Sequence, residues 1–227
     1  MTRRFSGRYS ILAHYTFQKA KNNDPDYFFV DPDVNWGPAN FIRTHVFVVA
    51  ANAVLPFGQG RRWASDASGL TQALIGGWQL NTNITIQSGL PFNVDYRDSG
   101  SDRDTGPNRP DLIGDPDVGS GDGLTSPYFN VTPIGTEGSA FGRPEKGTFG
   151  NLPRNAGRGP GYWQLDLRLS KVFEVNGARI EVLAEAFNVD NHVNLNNWIS
   201  NMLNRNFGNS ITADVARQVQ LGLRVGF

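Results

Sequence analysis

Glu181 and Glu185 stand in ARIEVLAEAF, where Ile180, Val182, Ala184 and Ala186 alternate with charged residues. Strand alternation places both carboxylates on one face. A separation of about 7 Å is expected there, a spacing that would suit the carboxylate pair of glycoside hydrolysis. Arg168 and Arg179 nearby favour ion pairing instead. With Asp166, Arg168 and Arg224, the two glutamates read as cross-strand pairs that brace a wall. His14, His45 and His192 are spread over three elements and are not expected to converge on a metal. Asp98, Asp102 and Asp104 in DSGSDRDTG loosely match a calcium loop. The glycine offset is wrong, however, and no glutamate follows at the twelfth position, so an acidic solvated loop is expected. GSGDG at 119–123 follows no strand and opens no helix, which argues against a phosphate cradle. There is no G-x-S-x-G, no H-E-x-x-H and no P-loop. No catalytic, metal or cofactor residue is assigned, and the chain is not expected to be an enzyme.

The elements that carry these residues are strands. The 227-residue chain has 21 Lys+Arg against 21 Asp+Glu, so no basic excess exists to hold nucleic acid by charge. Cysteine is absent, which excludes a disulfide scaffold, a zinc ribbon and a thiol nucleophile. Eleven per cent aromatics is too rich for a disordered chain. Period-two patterning dominates. Tyr9, Ile11, Ala13, Tyr15 and Phe17 share a face in 8–18. In 78–94, Trp78, Leu80, Thr82, Ile84, Ile86, Leu90 and Phe92 alternate with Gln79, Asn81, Asn83, Thr85 and Gln87. In 162–175, Trp163, Leu165, Leu167, Leu169 and Phe173 oppose Gln164, Asp166, Arg168 and Ser170. The stretch 178–188 follows, and the last runs from Val215 to Phe227. Segment 41–57 is apolar on both faces. Val46 and Val48 are expected on its oily side, because Arg43 and His45 need water.

The expected fold is all-β: an antiparallel meander of about six long amphipathic strands, part of a transmembrane β-barrel. Strands of this length with one oily and one watery face suit a wall between lipid and lumen. The joins support it. Segments 19–40, 95–161 and 189–213 are long, whereas Asn176-Gly177 is a two-residue hairpin turn. Segment 58–76 alternates with the long joins and is expected to hold a short helix near Gly69–Ile75. Short turns on the periplasmic side and long loops outside are the habit of such barrels. Gln79, Asn81, Asn83, Gln87, Asp166, Arg168, Glu181, Glu185 and Arg224 would then line the lumen. Trp78 and Phe173 would mark one aromatic girdle, Phe92 and Trp163 the other. Lys171 falls on the lipid side near the inner rim, where its stem can snorkel. The competing architecture is a secreted carbohydrate-binding β-sandwich, with Trp36, Trp63 and Trp163 as stacking platforms.

The terminal VQLGLRVGF resembles the outer-membrane assembly signal, an amphipathic last strand ending in an aromatic residue. Val219, Leu221, Leu223, Val225 and Phe227 form its apolar face. LPFGQGRRW, IGGWQLNTNITIQSGLPFNV, NRPDLIGDP, GNLPRNAGRGPGYWQLDLRLSKVFEV and EAFNVDNHVNLNN resemble, in that order, the C-terminal barrel of TonB-dependent receptors. The resemblance is specifically to the Oar-like branch, whose N-terminus carries a carboxypeptidase-regulatory-like domain. The resemblance implies a 22-stranded outer-membrane barrel with a plug, importing a scarce bulky ligand such as a siderophore, oligosaccharide or peptide. Its partners would be outer-membrane lipid, the barrel assembly machinery, the remaining barrel and plug and, through the plug, an inner-membrane energising complex. No cofactor is implied. Residues 1–227 are expected to be the C-terminal segment of such a barrel, with no plug or export signal of their own and a long external loop at 95–161.

Overall fold

The computed structural model describes residues 2–5, 8–23, 32–95, 109–116, 130–145, 148 and 150–227. Its frame is one seven-stranded antiparallel sheet in which strands adjacent in the meander pair without a crossover. The strands are β1 (Thr2–Phe5), β2 (Tyr9–Phe17), β3 (His45–Val54), β4 (Trp78–Gln87), β5 (Tyr162–Val175), β6 (Ala178–Phe187) and β7 (Gln218–Gly226). Strand β1 is the addition to the expected six. Its four residues are too few to display a period, and its pairing of Phe5 with Tyr9 reveals it. Between β5 and β6, Asn176 and Gly177 have φ of 49° and 83°. Two successive left-handed residues make the type I′ geometry that the Asn-Gly pair favours. The expected helix is α1 (Gly69–Ile75). Among the described residues no helix is long and apolar enough to cross a membrane, a statement that leaves strands aside.

The register fixes the faces. Tyr15, Phe47, Ile86 and Trp163 lie in one row across β2 to β5, and Ala13, Val49, Ile84 and Leu165 in the next row but one. Val182 and Leu221 share that face through β6 and β7. The expected phase of β3 is therefore reversed: Phe47 and Val49 are on the apolar face, and Val46 and Val48 oppose Gln87 and Thr85. His45 accordingly lies on the apolar side, opposite Phe17. It tolerates this position because it sits at the strand end, where Tyr15 Oη meets its Nδ1 at 2.7 Å. Strand β4 stops at Gln87, short of the expected residue 94. Gly89 passes so close to the opposing chain that a Cβ there would lie 1.7 Å from the Gly159 carbonyl oxygen, and Pro91 has no N–H for a ladder.

The packed core is not in the sheet. Val94, Ala140, Phe141, Leu152, Met202 and Phe207 form the buried hydrophobic cluster, and all six come from the connections after β4 and β6. The joins 18–44, 88–161 and 188–217 leave from one end of the sheet, and 55–77 and Asn176-Gly177 from the other. Small ladders stiffen the loop end: Lys21–Asn23 with Trp36–Pro38, Asp111–Leu112 with Phe141–Gly142, and Leu195–Trp198 with Ser210–Ala213. Within the long join, residues 96–108 and 117–129, and with them Asp98, Asp102, Asp104 and GSGDG, fall outside the described residues.

Among the described residues no second sheet covers the apolar face, so the sandwich is excluded as the architecture. Leu221 is 83% and Leu223 67% exposed, a cost that water would impose in full. The sheet closes no ring, because β1 and β7 do not pair with each other. Leu167 lies midway between Trp163 and Lys171 on that face. Leu167→Arg is expected to destabilise the folded state by about 2–4 kcal/mol in phospholipid vesicles, read by urea unfolding. Asn83→Lys, on the other face opposite Asp166, should stay within about 0.5 kcal/mol.

Candidate functional site

The polar face of the sheet carries a continuous belt. Ser10, Asn52, Asn81, Arg168, Glu185 and Gln220 are successive cross-strand partners from β2 to β7. Asn52 donates through Nδ2 to Ser10 Oγ at 3.1 Å. Arg168 spans two carboxylates, with Nη2 at 2.9 Å from Glu181 Oε1 and Nη1 at 3.4 Å from Glu185 Oε1. Arg224 reaches Glu181 Oε2 at 3.2 Å, and Gln220 donates to Glu185. Toward the loop end, Gln164 Nε2 donates to Asp166 at 2.8 Å, and the Asn188 backbone N–H caps the same carboxylate at 2.9 Å.

A concavity of about 440 Å³ lies on this face, bordered by Gln79, Asn81, Asn83, Asp166, Arg168, Glu181 and Glu185. The polar side is thus the hollow one. Gln87 lies on the same face at the loop end of β4, opposite Val46 and Tyr162 and apart from the concavity. Glu181 and Glu185 are four residues apart, which is about 13 Å of strand rise rather than the 7 Å of an i, i+2 pair. They reach a common arginine, and each carboxylate is already engaged by a cation or amide. That is an arrangement that holds neighbouring strands in register.

At the loop end the connections lock together. Arg154 is 1% exposed and donates to Asn22 Oδ1 across the join. Asn155 donates from its backbone N–H to Asn93 Oδ1 and from its Nδ2 to the Pro38 carbonyl, both at 2.7 Å. The Asp95 and Met202 segments exchange backbone bonds: Asp95 N–H to Ser200 O at 3.0 Å and Met202 N–H to Asp95 O at 2.8 Å. Arg109 donates to Leu152 O at 3.4 Å. Arg43 and Arg158 join this assembly to the sheet rim. Arg43 donates to Ser88 O at 2.8 Å, and burial lowers its pKa from the ordinary value. Arg158 donates to Thr44 Oγ1 and Gly89 O, both at 3.2 Å. Above the buried cluster lies an open cavity of about 490 Å³ between 131–143 and 202–209. Ile134, Met202 and Phe207 form its floor, and Arg143 and Arg205 lie on its rim.

The aromatic residues divide by end. Trp78 and Phe173 lie on the apolar face near Asn176-Gly177, and Trp163 near the loops. Trp163 donates to Asp190 through Nε1 at 2.5 Å. Phe92 does not join the girdle. It pairs with Gly157 in a short ladder, stacks on Trp198 at 6.1 Å and packs on the buried loop cluster. Val219, Leu221, Leu223 and Val225 line up on the apolar face of β7, and Phe227 is fully exposed beyond it. His14 and His192 lie apart from His45, and among the described residues no group of three metal-ligating side chains forms.

A family model described as an outer membrane beta barrel domain matches residues 1–220. The chain belongs to this family. No curated protein and no solved structure matches it. In outer-membrane barrels the apolar face meets lipid and the polar face the lumen, with long loops outside and short turns at the periplasm. From Trp78 to Ile86 the strand rises about 26 Å, which fits the apolar band of about 25 Å such barrels present once tilt is allowed for.

Register adds cross-strand neighbours to these sets: Tyr15 and Phe47 extend the aromatic row at the loop end, and Ser10, Asn52 and Gln220 extend the polar belt. Alternation gives Tyr15, Ser10 and Gln220 their faces, and register gives them their rows. In Arg168→Met both glutamates lose their shared cation. The unfolding free energy is expected to fall by about 1–2 kcal/mol. Adding Glu181→Gln and Glu185→Gln should recover most of it, as read in a mutant cycle by denaturant titration.

Proposed function

We propose that this barrel domain is the C-terminal wall section of a TonB-dependent receptor that takes up a scarce, bulky ligand through the outer membrane. The observation that carries the reading is the pairing of a charged, hydrogen-bonded lumenal wall with a packed external cap. A wall bearing Asp166, Arg168, Glu181, Glu185 and Arg224 suits a wide hydrated lumen that a plug can fill. A cap with its own buried cluster offers a firm outer surface for recognition, unlike loose surface loops. The order of the receptor-like segments along the chain supports the same reading. Seven strands with two open edges fit a larger barrel, because an unpaired edge is costly in hydrocarbon.

The remaining strands, the plug, the assembly machinery and the inner-membrane energising complex are the partners in this reading. The domain itself performs no reaction and holds no cofactor. The ligand class is tested by uptake into cells that make the full-length protein, with ferric siderophores, oligosaccharides and peptides offered in parallel. One class should enter in a way that a protonophore abolishes. Entry of small solutes of every class, indifferent to the protonophore, would mark a diffusive pore instead.

The terminus makes a separate expectation. Assembly machinery is proposed to read the apolar face of β7 with Phe227. Deleting Phe227 removes the terminal aromatic and touches no lumenal side chain. A large loss of heat-modifiable protein in outer-membrane fractions is expected, with ligand affinity unchanged in molecules that insert. Gln220→Asn should alter neither, and parental insertion of the Phe227 deletion would refute this role.

A further inference from the structure

We infer that the turn between β3 and β4 is a membrane foot. Helix α1 lies at the headgroup level of the periplasmic leaflet, with Leu70 and Leu74 among phospholipid acyl chains. Three observations carry this. First, the helix is fastened to the lipid-facing side of the wall. Lys171 belongs to that face of β5, opposite Trp78, yet is only 4% exposed. Its Nζ donates to the carbonyl of Ala73, and Trp78 Nε1 donates to that of Leu74 at 2.9 Å. These are orphan carbonyls of the last helical turn, and the partial negative charge there favours a cation.

Second, Gln72 turns back into the turn: its Oε1 accepts the Gln59 backbone N–H at 2.6 Å, and Gly58 and Gly76 crowd the same side chain. Third, two large apolar side chains of the helix stay outside, beside polar Arg62, Asp66 and Thr71. Leu70 and Leu74, one helical turn apart, are 76% and 62% exposed. A seven-residue helix is too short to persist on propensity, and two leucines left in water would add no burial to hold it. The surface beside them already meets lipid, because Trp78 and Phe173 continue it. Phe57 stacks on Trp63 at 5.0 Å, and the Arg62 guanidinium lies 5.5 Å from the Trp63 ring, a combination suited to the headgroup layer. The foot also gives Lys171 a partner that hydrocarbon would deny it.

The chain contains no cysteine, so single nitroxide labels can be placed cleanly. Leu70→Cys, Leu74→Cys and Glu174→Cys would be labelled in protein purified from outer membranes. The protein would then be reconstituted in vesicles of phosphatidylethanolamine and phosphatidylglycerol, with heat-modifiable migration confirming that each is folded. Glu174 sits at the same rim on the polar face and serves as the aqueous reference. Labels at 70 and 74 should collide readily with oxygen and poorly with a water-soluble nickel chelate, with the reverse at 174. Chelate access at 70 and 74 equal to that at 174 overturns the foot. Shielding that disappears when the protein is diluted in lipid overturns it too, because a second copy rather than phospholipid would then be the cover.

Discussion

The architecture rests on an apolar sheet face that, among the described residues, no second sheet covers. The ladder bonds satisfy the backbone sideways, so the face can enter hydrocarbon without exposing an N–H or C=O. What the chain would otherwise have to bury against itself, it buries against lipid. The opposite face is then free to be charged, and the charges are spent on keeping strands in register. Arg168 illustrates the economy: one guanidinium holds two glutamates of β6, and through them Arg224 and Gln220 of β7.

The cap solves the opposite problem. It lies beyond the end of the sheet, without the sheet's apolar face to pack on, so it needs a core of its own. Six apolar side chains supply it, and buried Arg109 and Arg154 serve as crosspieces between loops. Backbones approach closely where they cross. A Cβ at Gly37 would lie 2.4 Å from the Arg154 carbonyl oxygen. Arg43 and Arg158 then tie this body to the rim, so that cap and wall are joined by cations donating to backbone and hydroxyl oxygens.

Alternation and turn chemistry made the wall legible from sequence. Five of the six expected strands show period two, and Asn176-Gly177 fixed one hairpin to the residue. Segment 41–57 failed to declare its phase because both faces are apolar. His45 misled there, since a histidine at a strand end finds its partner across the sheet in Tyr15 rather than in water. Phe92 misled because apolar alternation ran on past the point where Gly89 and Pro91 end the ladder. The cap core was invisible for a different reason. Its members are scattered from Val94 to Phe207 with no shared period, and only the folded chain brings them together. The lumenal residues were individually readable, but their order in one belt depends on register, which periodicity does not specify.

The crosspieces also dictate a sequence of events in time. Arg154 meets Asn22, and Asp95 meets Met202, only at the loop end of the sheet. Each of these contacts joins segments delivered by different hairpins. The wall can grow strand by strand through neighbours that are adjacent in the meander, whereas the cap must wait for its last contributing hairpin. Closure of such distant segments is entropically slow until the strands hold their ends in place. The loop end is therefore expected to acquire its shape last, and a partly formed wall offers no finished surface there.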